Sequence, residues 1–328
     1  MVNYLLRISM IGQSFQKNLI QSTKQLEVKN MTNVTIKKKY SHDLEIIIVN
    51  FNSQFWLRKT LETLQDFYLS KTKKKVLVTV VDNGSEDDSI KIVKKDFNWV
   101  QLIELKENLG FSAANNKALE LSTAEYAMLV NSDVEFIENS NLDILLAIMK
   151  KNPEIGVITP RVEFKDGTID PACHRGEPDP WTSLTYFSKL SALFPNSKIF
   201  GEYHQTYKNQ FEPHQIDACS GAAMLVRKSA MDKVGVLDER FFMYAEDLDW
   251  CKRFRESGFV VYFFPAVVVI HHKHKSGIKN ASQKIARKTR MHFYDTMLQY
   301  YDKHYRDAYP EFVRTLLRYF LIIKKGAL

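Results

Sequence analysis

Residues 76–89 read VLVTVVDNGSEDDS. A β-branched run stops at Asp82-Asn83-Gly84-Ser85, which is how a buried strand ending in a polar turn looks in sequence. The pattern repeats on both sides. Upstream, Glu45–Asn50 (EIIIVN) is a second such run, followed by Ser53 as a helix cap and by Leu57, Leu61, Leu64 and Tyr68 at helical spacing. Between these two strands and the next, Ile90, Val93 and Phe97 predict a helix with the acids Glu86, Asp87 and Asp88 in its first turn. Gln101–Leu105 reads as a third strand, and Gly110–Leu121 as a helix with Ala114, Ala118 and Leu121 inward. Tyr126–Val130 is a fourth strand, running into Asn131-Ser132-Asp133. Four strand–helix alternations predict a parallel sheet with right-handed crossovers. Ligands in such sheets sit beyond the carboxyl ends of the strands. Those ends are Asn50-Phe51-Asn52, Asp82-Asn83-Gly84 and Asn131-Ser132-Asp133. One polar turn carries no functional message, because turns are made of Asn, Asp and Gly. Three on one sheet edge point to a site.

The second half is less regular. Asn139–Lys150 is expected as a helix stopped by Asn152-Pro153, and residues 164–215 as loops and short strands that shape a pocket. Ala222–Val226 reads as a buried strand, Glu246–Ser257 as a helix closed by Gly258, and Val260–Ile270 as a strand broken at Pro265.

The chain has 328 residues, 45% of them hydrophobic and 26% charged, enough for a substantial core and too apolar for a disordered chain. Its three cysteines, Cys173, Cys219 and Cys251, form no Cys-x-x-Cys pair, which argues against a zinc ribbon or a disulfide framework and suits a reducing, cytoplasmic setting. The twelve glycines are never closer than nine residues, excluding both G-x-G-x-x-G and the P-loop. The net charge of +8 is uneven: residues 1–42 carry +6, residues 271–328 carry +9, and the stretch between them −7. An acidic body with basic ends excludes a groove-lined nucleic-acid binder and fits ends that lie against an anionic membrane surface. No segment has the roughly 18 to 20 apolar residues that span a bilayer, and Tyr4–Ile11, interrupted by Arg7, is not expected to be a secretory leader.

A carboxylate at a strand end, such as Asp133, can hold a divalent cation that bridges phosphate oxygens, and His271 at the end of the last strand can add a ligand. Glu246-Asp247-Leu248-Asp249 opens a helix after the aromatic stretch Phe241–Tyr244. Acids in a first helical turn are ordinary dipole chemistry; the functional reading is a general base.

Taken in order, IIIVNFNS (46–53), VVDNGSEDDS (80–89), ENLGFSAANN (107–116), LVNSDV (129–134), the 219–253 segment containing FFMYAEDLDWCKR, and VVVIHH (267–272) resemble family 2 glycosyltransferases of the GT-A fold, rhamnosyltransferase-like members in particular. The matches span about 70% of the chain. The resemblance implies an α/β fold: a Rossmann-like, mostly parallel sheet flanked by helices, with a basic helical C-terminal extension. The expected division is a basic, poorly ordered extension at 1–42, a catalytic domain at 43–270 (a nucleotide-binding half at 43–135 and an acceptor half at 136–270) and a helical segment at 271–328.

The resemblance also implies roles. Asp82 with Asn50 and Asn52 would meet the nucleotide base and its surroundings, and Asn108, Gly110 and Asn115 would shape the wall near the ribose. Asn131 and Asp133 stand where the family carries Asp-x-Asp, with Asp133 on Mg2+ or Mn2+ and His271 as a further ligand. Asp247 matches the catalytic base, and Gly221 lies in a loop that lets sugar and acceptor approach the backbone. His174, Arg175 and Glu246 are candidates for acceptor recognition. Asn131 in place of the first Asp removes one negative charge and weakens the expected hold on the metal. The implied reaction is inverting transfer of a sugar, with dTDP-rhamnose as favoured donor, to a saccharide or lipid-linked acceptor of a bacterial surface polysaccharide.

Phe312–Ile323 (FVRTLLRYFLII), carrying Arg314 and Arg318, is expected either to lie in a membrane interface at the inner face of the cell membrane or to pack on the body or at a homodimer contact. Two other classes stay open at this point. One is a nucleotidyltransferase, disfavoured because no glycine-rich basic loop follows the first strand. The other is a non-catalytic sugar- or partner-binding protein on the same fold.

Overall fold

A computed structural model describes residues 40–273 and 283–326. Of the expected extension at 1–42, residues 1–39 lie outside the described residues, as does the basic stretch at 274–282, and His42 already belongs to the first strand. The order begins β1 (His42–Asn50), α1 (Gln54–Leu64, continued by a π turn to Leu69), β2 (Val76–Asp82), α2 (Ser89–Asp96), β3 (Gln101–Glu104), α3 (Phe111–Leu119) and β4 (Ala124–Asn131). There follow β5 (Val134–Phe136), α4 (Leu142–Lys151) and β6 (Ile155–Glu163). After short helices α5 (Pro180–Phe187) and α6 (Leu190–Leu193) come β7 (His214–Ile216), β8 (Ala223–Arg227) and α7 (Lys228–Val234). The chain closes with α8 (Glu246–Glu256), β9 (Val260–His271), α9 (Gln283–His304) and α10 (Glu311–Gly326).

One sheet runs β3-β2-β1-β4-β8-β6-β9-β5, with β7 on β9. Its first four strands are parallel, as the βαβ pattern requires. Ile46, Ile47 and Ile48 of β1 are fully buried, the mark of a strand covered on both faces. Register decides where the polar ends fall: Asn50 pairs with Asp82 and Val49 with Asn131, so the three turns meet at one edge. Beyond β4 the pairing reverses. β8 runs antiparallel to β4 and sets Ala222 beside Asn131, whose N–H it accepts at 3.1 Å. β5 runs antiparallel to β9, opposing Val134 to His271.

Local expectations are corrected in four places. The Ser53 hydroxyl makes no capping bond. Glu86–Asp88 precede α2 rather than filling its first turn; there the Asp87 carboxylate accepts from the N–H of Gln54 at 2.9 Å and of Ser89 at 3.0 Å, tying two helix starts together. Leu121 is 69% exposed because α3 ends two residues earlier. Pro265 does not break β9: the pairing with β6 skips from Phe264 to Val268, a bulge that absorbs the missing N–H.

Candidate active site

Just outside the carboxyl ends of β1, β2 and β4, side chains tie the turns into a network. Asn50 donates to the Asp82 carboxylate at 3.0 Å and to the Ser85 hydroxyl at 3.1 Å, and Asp82 also accepts the Ser85 N–H at 2.9 Å. Asn52, in the left-handed region with φ 49°, accepts the Glu86 N–H at 2.7 Å. Asn108 accepts from Gly110 N–H at 2.9 Å and from Asn83 at 3.0 Å. Asn83, which sequence reasoning passed over as a turn residue, is the hub: it also donates to the Gly110 carbonyl at 3.2 Å and accepts the Leu109 N–H at 2.9 Å. These residues frame the edge but do not line the large cavity beside it.

That cavity has a volume of about 460 Å³ and gathers Asn131, Asp133, Arg175, Gly221, Glu246, Asp247 and His271. They arrive from the ends of β4 and β9, the start of α8 and the loops that carry Arg175 and Gly221. Asp133 follows β4, and its carbonyl accepts the His272 N–H at 2.9 Å, continuing the β5–β9 ladder that sets His271 beside it. His271 Nε2 lies 3.2 Å from Asp133 Oδ1 and 3.3 Å from the Asn131 amide nitrogen. Its Nδ1–H donates to Asp170 at 2.9 Å. Burial opposes a charge on His271, but its bonds to Asp133 and Asp170 outweigh that and push its pKa up to about 9. Burial likewise opposes a charge on Asp170, yet His271 and Lys273 hold it well below the usual carboxylate range.

Asp133 and His271 are donors of the kind a divalent cation takes, and Asp170 stands where an orienting carboxylate would. Asp170 on Nδ1 fixes the ring so that Nε2 faces the cavity beside Asp133. Among the described residues no third His, Cys, Asp or Glu completes an enclosure. Two protein donors fit an ion whose remaining positions go to substrate phosphates and water. Binding one would have to displace the proton that His271 holds.

The other reactive group stands at the start of α8. Tyr244 and Ala245 are consecutive residues at positive φ (73° and 62°), a strained turn that aims Glu246 and Asp247 at the cavity. Asp247 accepts from Arg175 at 2.6 Å through one oxygen and from the Leu248 N–H at 2.7 Å through the other. Arg175, buried, also donates to the Cys219 carbonyl at 3.1 Å. Glu246 keeps one buried carboxyl oxygen without a partner; burial, reinforced by Asp247, raises its pKa to about 8. Asp249 faces elsewhere, bonded to Arg253 at 2.8 Å and His304 at 2.7 Å.

The strained turn is held from two sides. From α3, Phe111 N–H donates to the Phe242 carbonyl at 2.7 Å and Ser112 to that of Phe241 at 2.6 Å, while Asn116 exchanges bonds with the backbone of Leu237. Asn115, expected at the site, instead donates to the Phe111 carbonyl within its own helix, so its neighbour performs the longer-range task. From α9, Thr296 donates to the Met243 carbonyl at 3.3 Å, Phe293 packs edge-on against Tyr244, and Phe293 and Met297 line the cavity. His174 points away, its Nε2 2.6 Å from that of His214, and burial lowers its pKa to about 4.

The comparisons with known proteins cover the sheet and much of the cavity. The family model described as "Glycosyl transferase family 2" matches residues 45–235. An N-acetylglucosaminyl-diphospho-decaprenol L-rhamnosyltransferase of Mycobacterium tuberculosis is 28% identical over 278 residues, covering 80% of this chain and 85% of that protein. A low-salt glycan biosynthesis hexosyltransferase of Haloferax volcanii is 26% identical, covering 70% of this chain and 67% of that one. Among solved structures, a mannosyltransferase from Pyrobaculum calidifontis in complex with GDP-Man and Mn2+ superposes with a TM-score of 0.53 at 16% identity, covering 88% of this chain and 72% of that one. At that identity the likeness speaks for the fold.

Proposed function

The chain belongs to glycosyl transferase family 2, and from that premise we propose that it moves a sugar from a nucleoside diphosphate to a lipid-linked saccharide with inversion at the anomeric carbon, in the synthesis of a surface polysaccharide. The observation that carries the reading is the meeting of Asp133, His271 and Asp247 in one cavity at the carboxyl edge of the sheet. The mycobacterial relative, matched along most of both chains, supports rhamnose as the transferred sugar and a diphospholipid-linked acceptor; the dTDP-linked form of the donor is our reading from the motif resemblance.

Asp247 takes the proton of an acceptor hydroxyl as that oxygen bonds to the anomeric carbon. The bond from that carbon to the diphosphate breaks, and the nucleoside diphosphate leaves with the electron pair. Arg175 keeps the carboxylate from rotating away from its line of approach. Glu246, neutral below about pH 8, offers a proton donor to a second acceptor oxygen. Asp133 and His271 would hold Mg2+ or Mn2+ against the diphosphate, and such an ion neutralises the charge that develops on the leaving group. Asn131, neutral and 3.3 Å from His271, leaves this site one charge short of the family's usual pair. The reaction would take place on the cytoplasmic side, where nucleotide sugars are made.

Asp247→Asn tests the assignment. Turnover should fall by about 10²- to 10⁴-fold, while calorimetry with dTDP-rhamnose and Mn2+ gives an unchanged donor affinity. Near-normal turnover removes Asp247 from the base role. Donor binding that favours UDP- or GDP-sugars redirects the choice of sugar, and an affinity indifferent to Mn2+ removes the ion.

A further inference from the structure

Away from the cavity, α5 and α10 enclose an apolar groove of about 520 Å³, with Pro180, Leu184 and Phe187 facing Val313, Leu317 and Phe320. The apolar character continues onto the outer surface instead of stopping at the rim. Trp181 is 48% exposed, Leu184 54% and Leu316 64%, and Phe312 and Tyr319 flank Leu316 at helical spacing on α10. The segment after α6 extends the patch: Phe194 and Ile199 are exposed, and the Ile199 carbonyl accepts from the Trp181 indole at 3.1 Å. A continuous apolar surface of this kind is avoided on freely dissolved monomers.

Exposed cations flank it, beside the acid Glu311 that opens α10 and pairs with Arg314 at 3.2 Å. Lys189, Lys198 and Arg318 are exposed without an acidic partner among the described residues, and residues 271–328 carry a net +9. Among the described residues no helix is long and apolar enough to cross a membrane, so the patch can lie on a bilayer but its helices do not span one. The face also reaches the chemistry. Met297, which lines the catalytic cavity, lines a narrow gap with Phe187, Leu317 and Leu321 at the inner side of the groove.

We propose that α5, α6 with the segment following it, and α10 form a docking face for an anionic lipid bilayer, with Trp181, Leu184 and Leu316 entering the interface and the unpaired cations meeting lipid headgroups. Amphipathic helices with this division of apolar and basic residues bind membranes in the plane of the interface. The inference deepens the lipid-linked acceptor reading and draws its purpose from it: a protein so docked holds its cavity beside the headgroups, where a diphospholipid-borne sugar stands.

Flotation of the full chain with vesicles of phosphatidylglycerol and phosphatidylcholine, against phosphatidylcholine alone, reads the face directly. The native protein should float with the anionic vesicles, less so in high salt, and Leu184→Glu with Leu316→Glu should lower that partition at least about tenfold. Both positions are exposed, and an unchanged melting temperature of the double variant verifies its fold. Absence of flotation by the native chain, or equal flotation of the variant, overturns the proposal. So does a lipid-indifferent native dimer that the variant converts to monomer, because a second copy would then cover the face. Donor calorimetry on both proteins keeps the two readings apart: lost flotation with intact donor binding supports the face, whereas a native protein that floats but binds no donor refutes the transferase assignment alone.

Discussion

At the scale of single residues, Glu246 is the group whose protonation the fold changes most usefully. In the folded chain burial and Asp247 keep its proton to about pH 8, while an unfolded chain releases it near the ordinary value of 4.5. Between these values unfolding lets a proton go, so this residue's contribution to stability falls as pH rises through the window and is least favourable above it. Glu246→Gln removes that dependence. Its melting temperature relative to the native protein should rise from about pH 5 to about pH 8.5, by the equivalent of at least about 1 kcal/mol; a gap that stays constant with pH would show that Glu246 is already ionised in the folded state. The residue-level reading of the site was partly legible. Asp133, Asp247 and His271 carry motif signals, and all three reach the cavity. Asp170 carried none: its bond to His271 joins positions 101 residues apart, and nothing near Asp170 in the sequence announces it. The pairing of Arg175 with Asp247, 72 residues apart, was equally invisible, although both had been singled out.

At the scale of elements, the parallel half of the sheet was legible because strands buried on both faces betray themselves as unbroken β-branched runs. The mixed half was not, since the partners of β8 and β9 are set by tertiary contacts that leave no periodic trace. Helix ends failed for a local reason: Asp87 prefers to bond two helix starts over entering α2. The junction of α3 with the turn before α8 gives a prediction at this level. Gly110 has φ +87°, and a Cβ there would sit 2.5 Å from the Phe242 carbonyl oxygen, whose backbone cannot yield without moving the Tyr244–Ala245 turn. Gly110→Ala should therefore cost about 2–3 kcal/mol in urea unfolding and lower turnover as well. A stable variant with native turnover would show that the turn and the helix start it aims are not coupled to α3.

At the scale of the whole molecule, the C-terminal helices belong to the catalytic body. Glu177 accepts from Tyr300 at 2.6 Å and from Tyr305, and it pairs with Arg255 of α8 and with Lys252 at 3.5 Å. It stands two residues from Arg175, so one short segment grips both the carboxylate of the cavity and α9. Glu177→Ala strands two hydroxyls at a site where the lost side chain was only 16% exposed, while Lys252 keeps Glu256 at 3.3 Å and Arg255 keeps Asp217 at 3.7 Å. The expected cost is about 2 kcal/mol, with hydrogen exchange of α9 amides accelerating ahead of those in β1 and β4. Uniform acceleration would show that α9 unfolds only with the core. The same clasp has a consequence for how the protein is made. β1 to β4 can pair as soon as they leave the ribosome, but the cavity wall supplied by Phe293 and Met297 is still inside the exit tunnel or not yet translated. A nascent chain would thus carry a formed sheet edge and an open acceptor side, and would acquire a competent site only once α9 has emerged.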